Sequence, residues 1–600
     1  MFPFIRNYIN NFSKMINLLS AKPLLFPIQN NIVFFIFMYL LGAICIIIDP
    51  AVDKTVTFFE LFLDLYIVCF VLSLLPRKMR IVFKNVLSFI LYFLAIVDVY
   101  LIVRLGSPIT PTFVQMVLET DRSEATEALA SYITLKNVLS PVLLVVGLMV
   151  IHLLYSLKQL KLKENNLPCL FAILLTTLLV LSFVVSFRPK KFMAMMYLGN
   201  HETFLNLQGM GYYKPDKIYY IPVYKLLYSL KENSFGVEEI EELKETIRKS
   251  NITSCTFESP NIVVVIGESH NKHHSQLYGY NKPTTPFQLK EMEKGNLVVF
   301  SDVITSFNAT TESFKNMFSL YSYGDKGSWS QYPLFPALFR KAGYHTAFIT
   351  NQFTQDLNAN FSDFDAGMFF NNKEISKAQF DVRNISRHEY DEDLLSDYDS
   401  LKQYNAKNNL LVFHLRGLHV KYHLRYPSKW NKFKVKSYNR SDLTNSNLEV
   451  LAAYDNATLY NDFILKEIIN RFDQEDAVVI YIPDHGEVVF DGCQTFGRPM
   501  VFDANNLFQQ FQIPFWIYMS EKYQTQHPQM VEKIRKAKDK PFMTDNISQL
   551  LIGLAGIETE YYSPLSDPLS DDYNTNRKRM IRGEYDYDDI MKGYHLTVVN

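Results

Sequence analysis

The chain has 600 residues, 48% of them hydrophobic, and a formal net charge of -1, a length that implies more than one domain. The balanced charge, with no basic stripe interleaved with aromatics, leaves no electrostatic case for nucleic acid as a partner. Of 5 cysteines, Cys45, Cys69 and Cys169 lie in apolar runs; Cys255 and Cys493 read as two unpaired thiols, with one bond between them the alternative, and no disulfide framework is possible.

Five stretches, roughly 32–49, 58–75, 85–104, 137–157 and 168–187, are apolar and close to the ~20 residues that span a bilayer. The first starts late and lacks a small-residue cleavage pattern, so it reads as a retained anchor. Basic residues set the orientation. Arg6, Lys14 and Lys22 precede the first span. Arg77, Lys78, Arg80 and Lys84 lie between the second and third, and Lys158, Lys161 and Lys163 between the fourth and fifth. Those segments are expected in the cytoplasm, which puts everything after 187 on the far side; Arg188, Lys190 and Lys191 run against the trend. Asp64 and Asp98 fall inside spans and are read as interfacial or paired with a neighbour such as Arg104. The segment 105–135 has helix-like spacing of apolar and acidic residues and is expected along the outer membrane face. Residues 188–255 read as a membrane-proximal helical linker, and 256–600 as a soluble domain.

In that domain short apolar runs alternate with helical patterns. Strands are expected at 261–266, 346–350, 410–414, 477–482 and 513–519, and helices at 310–320, 334–343 and 453–472. Apolar runs joined by helices indicate an α/β domain with a mostly parallel sheet between helices. Ligands of such sheets bind beyond the carboxyl ends of the strands. There the first run meets Gly267-Glu268, the fourth meets Pro483-Asp484-His485-Gly486-Glu487, the third runs into His414 with His419 nearby, and the second into Asn351. Glu268, Asp484 and His485 supply two carboxylates and an imidazole, a shell suited to zinc and open to manganese. Thr310 and Thr311 stand where an extended piece turns into a helix. There the free amides favour an incoming anion and a metal would favour the alkoxide; capping the helix is the alternative use of a threonine.

The segments GESHNKHHSQLYGYNKPTTPF, ITSFNATTESF, FPALFRKAGYHTAFITNQ, HLRGLHVKYHLRYP, YDNATLYNDFIL and IPDHGE occur in this order. Together they resemble the phosphoethanolamine transferases of bacterial envelopes, of the lipopolysaccharide core or lipid A type, within the alkaline phosphatase and sulfatase superfamily. The resemblance covers the soluble domain, and a five-helix transmembrane bundle with an outward enzyme domain fits it as well. It implies a multi-pass protein of the bacterial inner membrane with its catalytic domain in the periplasm. It implies metal-dependent transfer of phosphoethanolamine from phosphatidylethanolamine to lipopolysaccharide through a phosphothreonine. By motif match Glu268, Asp484 and His485 are the zinc ligands. Thr310 is the nucleophile and fourth ligand, with Thr311 the fallback. His419 matches a substrate-phosphate or second-metal histidine, Asn351 an amide on the phosphoryl group, and Glu124 an acid on the ethanolamine.

One departure stands out. The family usually has a further histidine shortly after DHGE, whereas this chain reads VVFDGCQTFGR, with Cys493 or Gln494 near that place. A sulfatase would need a Cys/Ser-x-Pro-x-Arg setting that the nucleophile segment lacks. A transferase of glycerolphosphate or another phospho-group to a surface glycan, and a non-catalytic envelope scaffold, are the alternatives. His270 and His274, four apart behind the first strand, invite a histidine-pair metal site; the resemblance gives them no metal role, and a structural or surface role is expected.

Overall fold

A computed structural model of the chain describes residues 22–50, 52–105, 108–111, 113–114, 117, 135–156, 169–199, 219–353, 370–499 and 503–594. The chain divides into two compact units, one of Met1–Val117 with Leu129–Phe235, the other of Leu118–Ala128 with Gly236–Asn600.

The first unit contains α1 (Lys22–Asn30), α2 (Ile32–Ile48), α3 (Lys54–Leu74), α4 (Arg77–Leu105), α5 (Leu135–Ser156), α6 (Cys169–Leu198) and α7 (Pro222–Asn233). Five spans were expected. Among the described residues three helices have the length and composition to cross a bilayer, and a fourth if α1 and α2, bent by 85° at residue 31, form one broken span. The expected span at 137–157 is α5, a helix of 22 residues that is apolar over Leu143–Ser156. Most of 105–135, with Glu124, lies outside the described residues.

The intramembrane acids have partners. Asp64 accepts from Lys190 at 2.7 Å, from Tyr224 at 2.9 Å and from the Tyr220 hydroxyl. Asp98 and Asp49 both hold Lys225, each at 2.7 Å, with all three side chains buried. Lys190, a residue that ran against the charge trend, is thus neutralised by α3, and α7 is tied by Lys225 to Asp49 at the end of α2 and to Asp98 within α4.

The second unit is built on a seven-stranded sheet. Its strands are β1 (Asn261–Gly267), β2 (Leu297–Val299), β3 (His345–Thr350), β4 (Val382–Arg383), β5 (Asn409–His414), β6 (Ala477–Pro483) and β7 (Trp516–Met519). The spatial order is β2-β7-β6-β1-β5-β3-β4. From β6 to β4 every pairing is parallel, but β7 runs antiparallel to both β6 and β2, so the sheet is mixed: mostly parallel, with one strand reversed. An apolar run buries equally well in either direction, and nothing in WIYM distinguishes the two.

Alternate residues of β1 enter two separate cores. Ile262, Val264 and Ile266 pack on one face with Phe314, Leu338 and Leu551; Val263 and Val265 pack on the other with Tyr454, Leu465 and Tyr481. Burial on both faces explains the continuous apolar run. The helices that cover the sheet include α8 (Gly236–Lys249), α9 (Thr310–Phe318), α10 (Phe335–Ala342), α11 (Asn445–Ile469) and α12 (Ile547–Ala555). Cys255 and Cys493 are both unpaired thiols.

Candidate metal centre

β1 and β6 are neighbours in register, Gly267 opposite Pro483, so the residues that follow them emerge side by side. Gly267 lies against Tyr481: a Cβ there would sit 2.3 Å from the Tyr481 hydroxyl. Beyond it the chain turns through Ser269, which takes a left-handed φ of +53°. Glu268, Asp484 and His485 then come together, fully buried, with ligand atoms all within 4.8 Å of one another.

The hydrogen bonds around this trio leave one lone pair from each residue aimed inward. Asp484 Oδ1 accepts from the amides of Ser269 at 3.1 Å and His485 at 2.8 Å, while Oδ2 has no hydrogen-bond partner. His485 Nδ1 donates to the Gly486 carbonyl at 2.8 Å, which fixes the tautomer and turns the Nε2 lone pair toward the acids. Nε2 lies 3.2 Å from Asp484 Oδ2 and 3.4 Å from Glu268 Oε1. Two carboxylates and the Nε2 of an imidazole converge, which is the electrostatic signature of a cation site. Burial, then the Asp484 charge, pushes Glu268 up to about 7, and burial likewise raises Asp484. Burial, then Arg498, lowers His485 to about 4. This donor set fits a small divalent metal held by mixed oxygen and nitrogen ligands.

Thr310 is the first residue of α9, and its hydroxyl donates to Glu268 Oε2 at 3.4 Å. Ala309, not a threonine, holds the N-cap position, and no side chain caps the helix. Thr311 is buried, whereas Thr310 is half-buried. The helix therefore presents Thr310 to the centre at its positive end.

The other expected residues divide. His419 lies in the electrostatic surroundings of His485; burial, then Arg425, Arg498 and Arg416, holds it well below the usual histidine range, and its Nδ1 has no hydrogen-bond partner. Asn351 turns away from the centre. Its amide donates to Asp391 at 2.8 Å and its carbonyl accepts from the His388 amide at 2.7 Å. Asp391 in turn holds the amides of Arg416 and Gly417, both at 2.9 Å. Gly417, at φ +49°, packs so closely that a Cβ would fall 2.9 Å from the Glu268 nitrogen.

Two residues at the centre escaped sequence reasoning. Gln352 Nε2 donates to Glu268 Oε2 at 3.2 Å and to the Leu415 carbonyl at 2.9 Å. Arg498 Nη1 donates to His485 Nε2 at 3.0 Å. Cys493 contacts Thr495 and Gln494 reaches the Asp442 carbonyl, so neither takes the place of the missing histidine; Arg498, a few residues on, is what enters. The adjacency of Gln352 to Asn351 was the available signal for the first; none marked the second.

The histidines behind β1 serve the fold. His270 Nδ1 meets Tyr481 at 2.8 Å, His273 stacks on Phe508 with ring centroids 3.7 Å apart, and His274 bridges Asp455 and Asp491. Among the described residues they belong to no metal-ligating cluster.

The sulfatase family matches residues 260–557. Residues 260–557 are a sulfatase-family domain. Half of the chain is 31% identical over 314 residues to phosphoethanolamine transferase EptC of Escherichia coli O18:K1:H7 (strain RS218 / NMEC), covering 52% of that protein. Over 308 residues it is 30% identical to phosphoethanolamine transferase EptA of Helicobacter pylori (strain ATCC 700392 / 26695), covering 56% of it. The chain thus spans about half the length of these curated relatives. The fold extends further: the integral membrane protein lipooligosaccharide phosphoethanolamine transferase A (EptA) from Neisseria meningitidis superposes with a TM-score of 0.56 at 17% identity, over 89% of this chain and 97% of that one. The overall fold is therefore shared with that protein.

Proposed function

We propose that the chain is a membrane-anchored phosphoethanolamine transferase. It would move phosphoethanolamine from phosphatidylethanolamine to lipopolysaccharide, on a core sugar or lipid A, through a phosphothreonine at Thr310. The observation that bears most weight is the meeting of Glu268, Asp484, His485 and the Thr310 hydroxyl at one buried point, on a domain akin to proteins named for this activity.

Glu268, Asp484 and His485, with Thr310 as fourth ligand, would hold a zinc ion, which when bound lowers the cost of ionising the threonine hydroxyl and draws charge from phosphoryl oxygens. Thr310 supplies the nucleophile. Its Oγ1 forms a bond to phosphorus, the bond from phosphorus to the glycerol oxygen breaks, and diacylglycerol departs with a proton. An acceptor oxygen then attacks the same phosphorus and Thr310 leaves, regaining its proton. Splitting the transfer into two displacements needs only one nucleophile, used twice. The first turn of α9 offers free amides to the phosphoryl anion. Asp391, through Asn351 and the Arg416-Gly417 amides, holds the backbone that packs on Glu268. His419, kept neutral, can donate a single hydrogen bond to the substrate phosphate. Glu124 is assigned to the ethanolamine ammonium. In this reading residues 1–187 anchor the chain in the inner membrane, 188–255 link it, and 256–600 act in the periplasm.

The test is the mass profile of lipopolysaccharide from cells with and without the chain, and with Thr310→Ala. One phosphoethanolamine unit should vanish in the absence of the chain and in the variant alike. Unchanged lipopolysaccharide in the Thr310→Ala strain refutes the assignment. Intact-protein mass spectrometry should find the phosphoethanolamine adduct on Thr310 in the unaltered chain alone.

A further inference from the structure

We propose that Arg498 is an exchangeable cation of the metal centre: it holds the His485 lone pair until a metal takes it, then moves to Glu487. This rests on the reading of Glu268, Asp484 and His485 as a metal site.

The first observation is the bond itself. Arg498 Nη1 donates to His485 Nε2 at 3.0 Å, and Nε2 is the ring nitrogen that would bind metal, because Nδ1 is committed to the Gly486 carbonyl. A guanidinium has donors and no acceptor, so it needs a lone pair, and a metal needs the same one. The two cannot hold Nε2 together. Metal entry therefore breaks this hydrogen bond, and Arg498 must be received elsewhere.

The second observation supplies the receiver. Glu487 is buried beside the centre. Its Oε1 accepts from Tyr422 at 2.7 Å, but its Oε2 has no hydrogen-bond partner. An unpaired oxygen of a buried carboxylate is costly, and a guanidinium is the group best shaped to satisfy it. Arg498 already exerts its charge on Glu487. The arginine keeps all of its protons throughout the move.

Charge balance favours the exchange. Without metal, three buried carboxylates, Glu268, Asp484 and Glu487, face one guanidinium. With a divalent ion the account closes: the ion answers Glu268 and Asp484, and Arg498 answers Glu487. Arg498 lies a few residues beyond the place where the resembling family has a histidine, and it works by competition and release rather than by ligation.

The experiment is a zinc titration of the full-length chain in detergent against a chromophoric chelator. Arg498→Ala, and Arg498→Met to keep the apolar stem, should bind zinc about ten- to a hundredfold more tightly than the unaltered chain, the factor carried by one hydrogen bond to a charged group. Glu487→Gln should weaken zinc binding when Arg498 is present and have little effect when it is alanine. Equal or weaker zinc affinity in both Arg498 variants overturns the exchange, as does a Glu487→Gln effect of the same size in either background. If the unaltered chain binds no zinc at all, it is the metal reading that fails.

Discussion

Replacing His274 with glutamine should separate a histidine that supports the fold from one that binds metal. Its ring is 1% exposed, and both nitrogens face carboxylates: Nδ1 lies 2.9 Å from Asp455 and Nε2 3.0 Å from Asp491. Asp455 also accepts from Tyr280 at 2.9 Å and Tyr438 at 2.6 Å, and Asp491 faces Arg440 at 3.4 Å. Burial opposes a charged ring, but Asp491 and Asp455 outweigh it and hold His274 up at about 9. A pKa raised from 6.5 means stability that is complete below about pH 6.5 and lost as pH rises through about 9. At 1.36 kcal/mol per unit this amounts to about 3 kcal/mol. Glutamine leaves two buried carboxylates facing one arginine, a cost of about 3–5 kcal/mol. The assay is urea unfolding of the full-length chain in detergent at about pH 6 and about pH 9.5, with zinc stoichiometry measured alongside. The unaltered chain should be less stable at the higher pH; the variant should be less stable at both, with a smaller difference, and should bind as much zinc. Loss of zinc at unchanged stability would refute the reasoning and make His274 a ligand.

Other outcomes follow from close contacts. Gly267→Ala, whose Cβ would meet the Tyr481 hydroxyl at 2.3 Å, should destabilise the domain by about 1–3 kcal/mol, with partial recovery on adding Tyr481→Phe, both read by thermal unfolding. Gln352→Ala removes an amide at 3.2 Å from Glu268 and should lower zinc affinity about tenfold or more in the chelator titration while leaving the melting curve of the zinc-free chain nearly unchanged. Lys225→Met strands Asp49 and Asp98 in the helical unit and should cost about 3–5 kcal/mol; Asp98→Asn in the same chain should recover part of it, judged by the detergent-solubilised melting temperature.

All five expected strands exist, because their apolar runs are buried on both faces and leave a continuous signal. The two strands of the main sheet that went unseen, Leu297–Val299 and Val382–Arg383, lie at its edges, where short pieces leave too little pattern to read. The candidate trio Glu268, Asp484 and His485 was legible because it follows two strand ends directly. Gln352 and Arg498 were not, because a loop residue's distance from the centre depends on how far the loop doubles back. The Asn351 amide shows the converse: the right chemical type at the right strand end can still face the other way and brace a loop.

The register of β1 against β6 has a consequence for how a metal would be received. Gly267 and Pro483 are paired partners, so the backbone positions that launch Glu268 and Asp484 are separated by the spacing between strands, and central hydrogen bonds enforce it. The ligands cannot spread apart to relieve their mutual repulsion. The site is therefore preorganised, and binding an ion would carry no entropy of ordering these residues. Chelation of the metal should leave the far-ultraviolet circular dichroism of the chain unaltered, in contrast to small zinc domains that unfold when stripped.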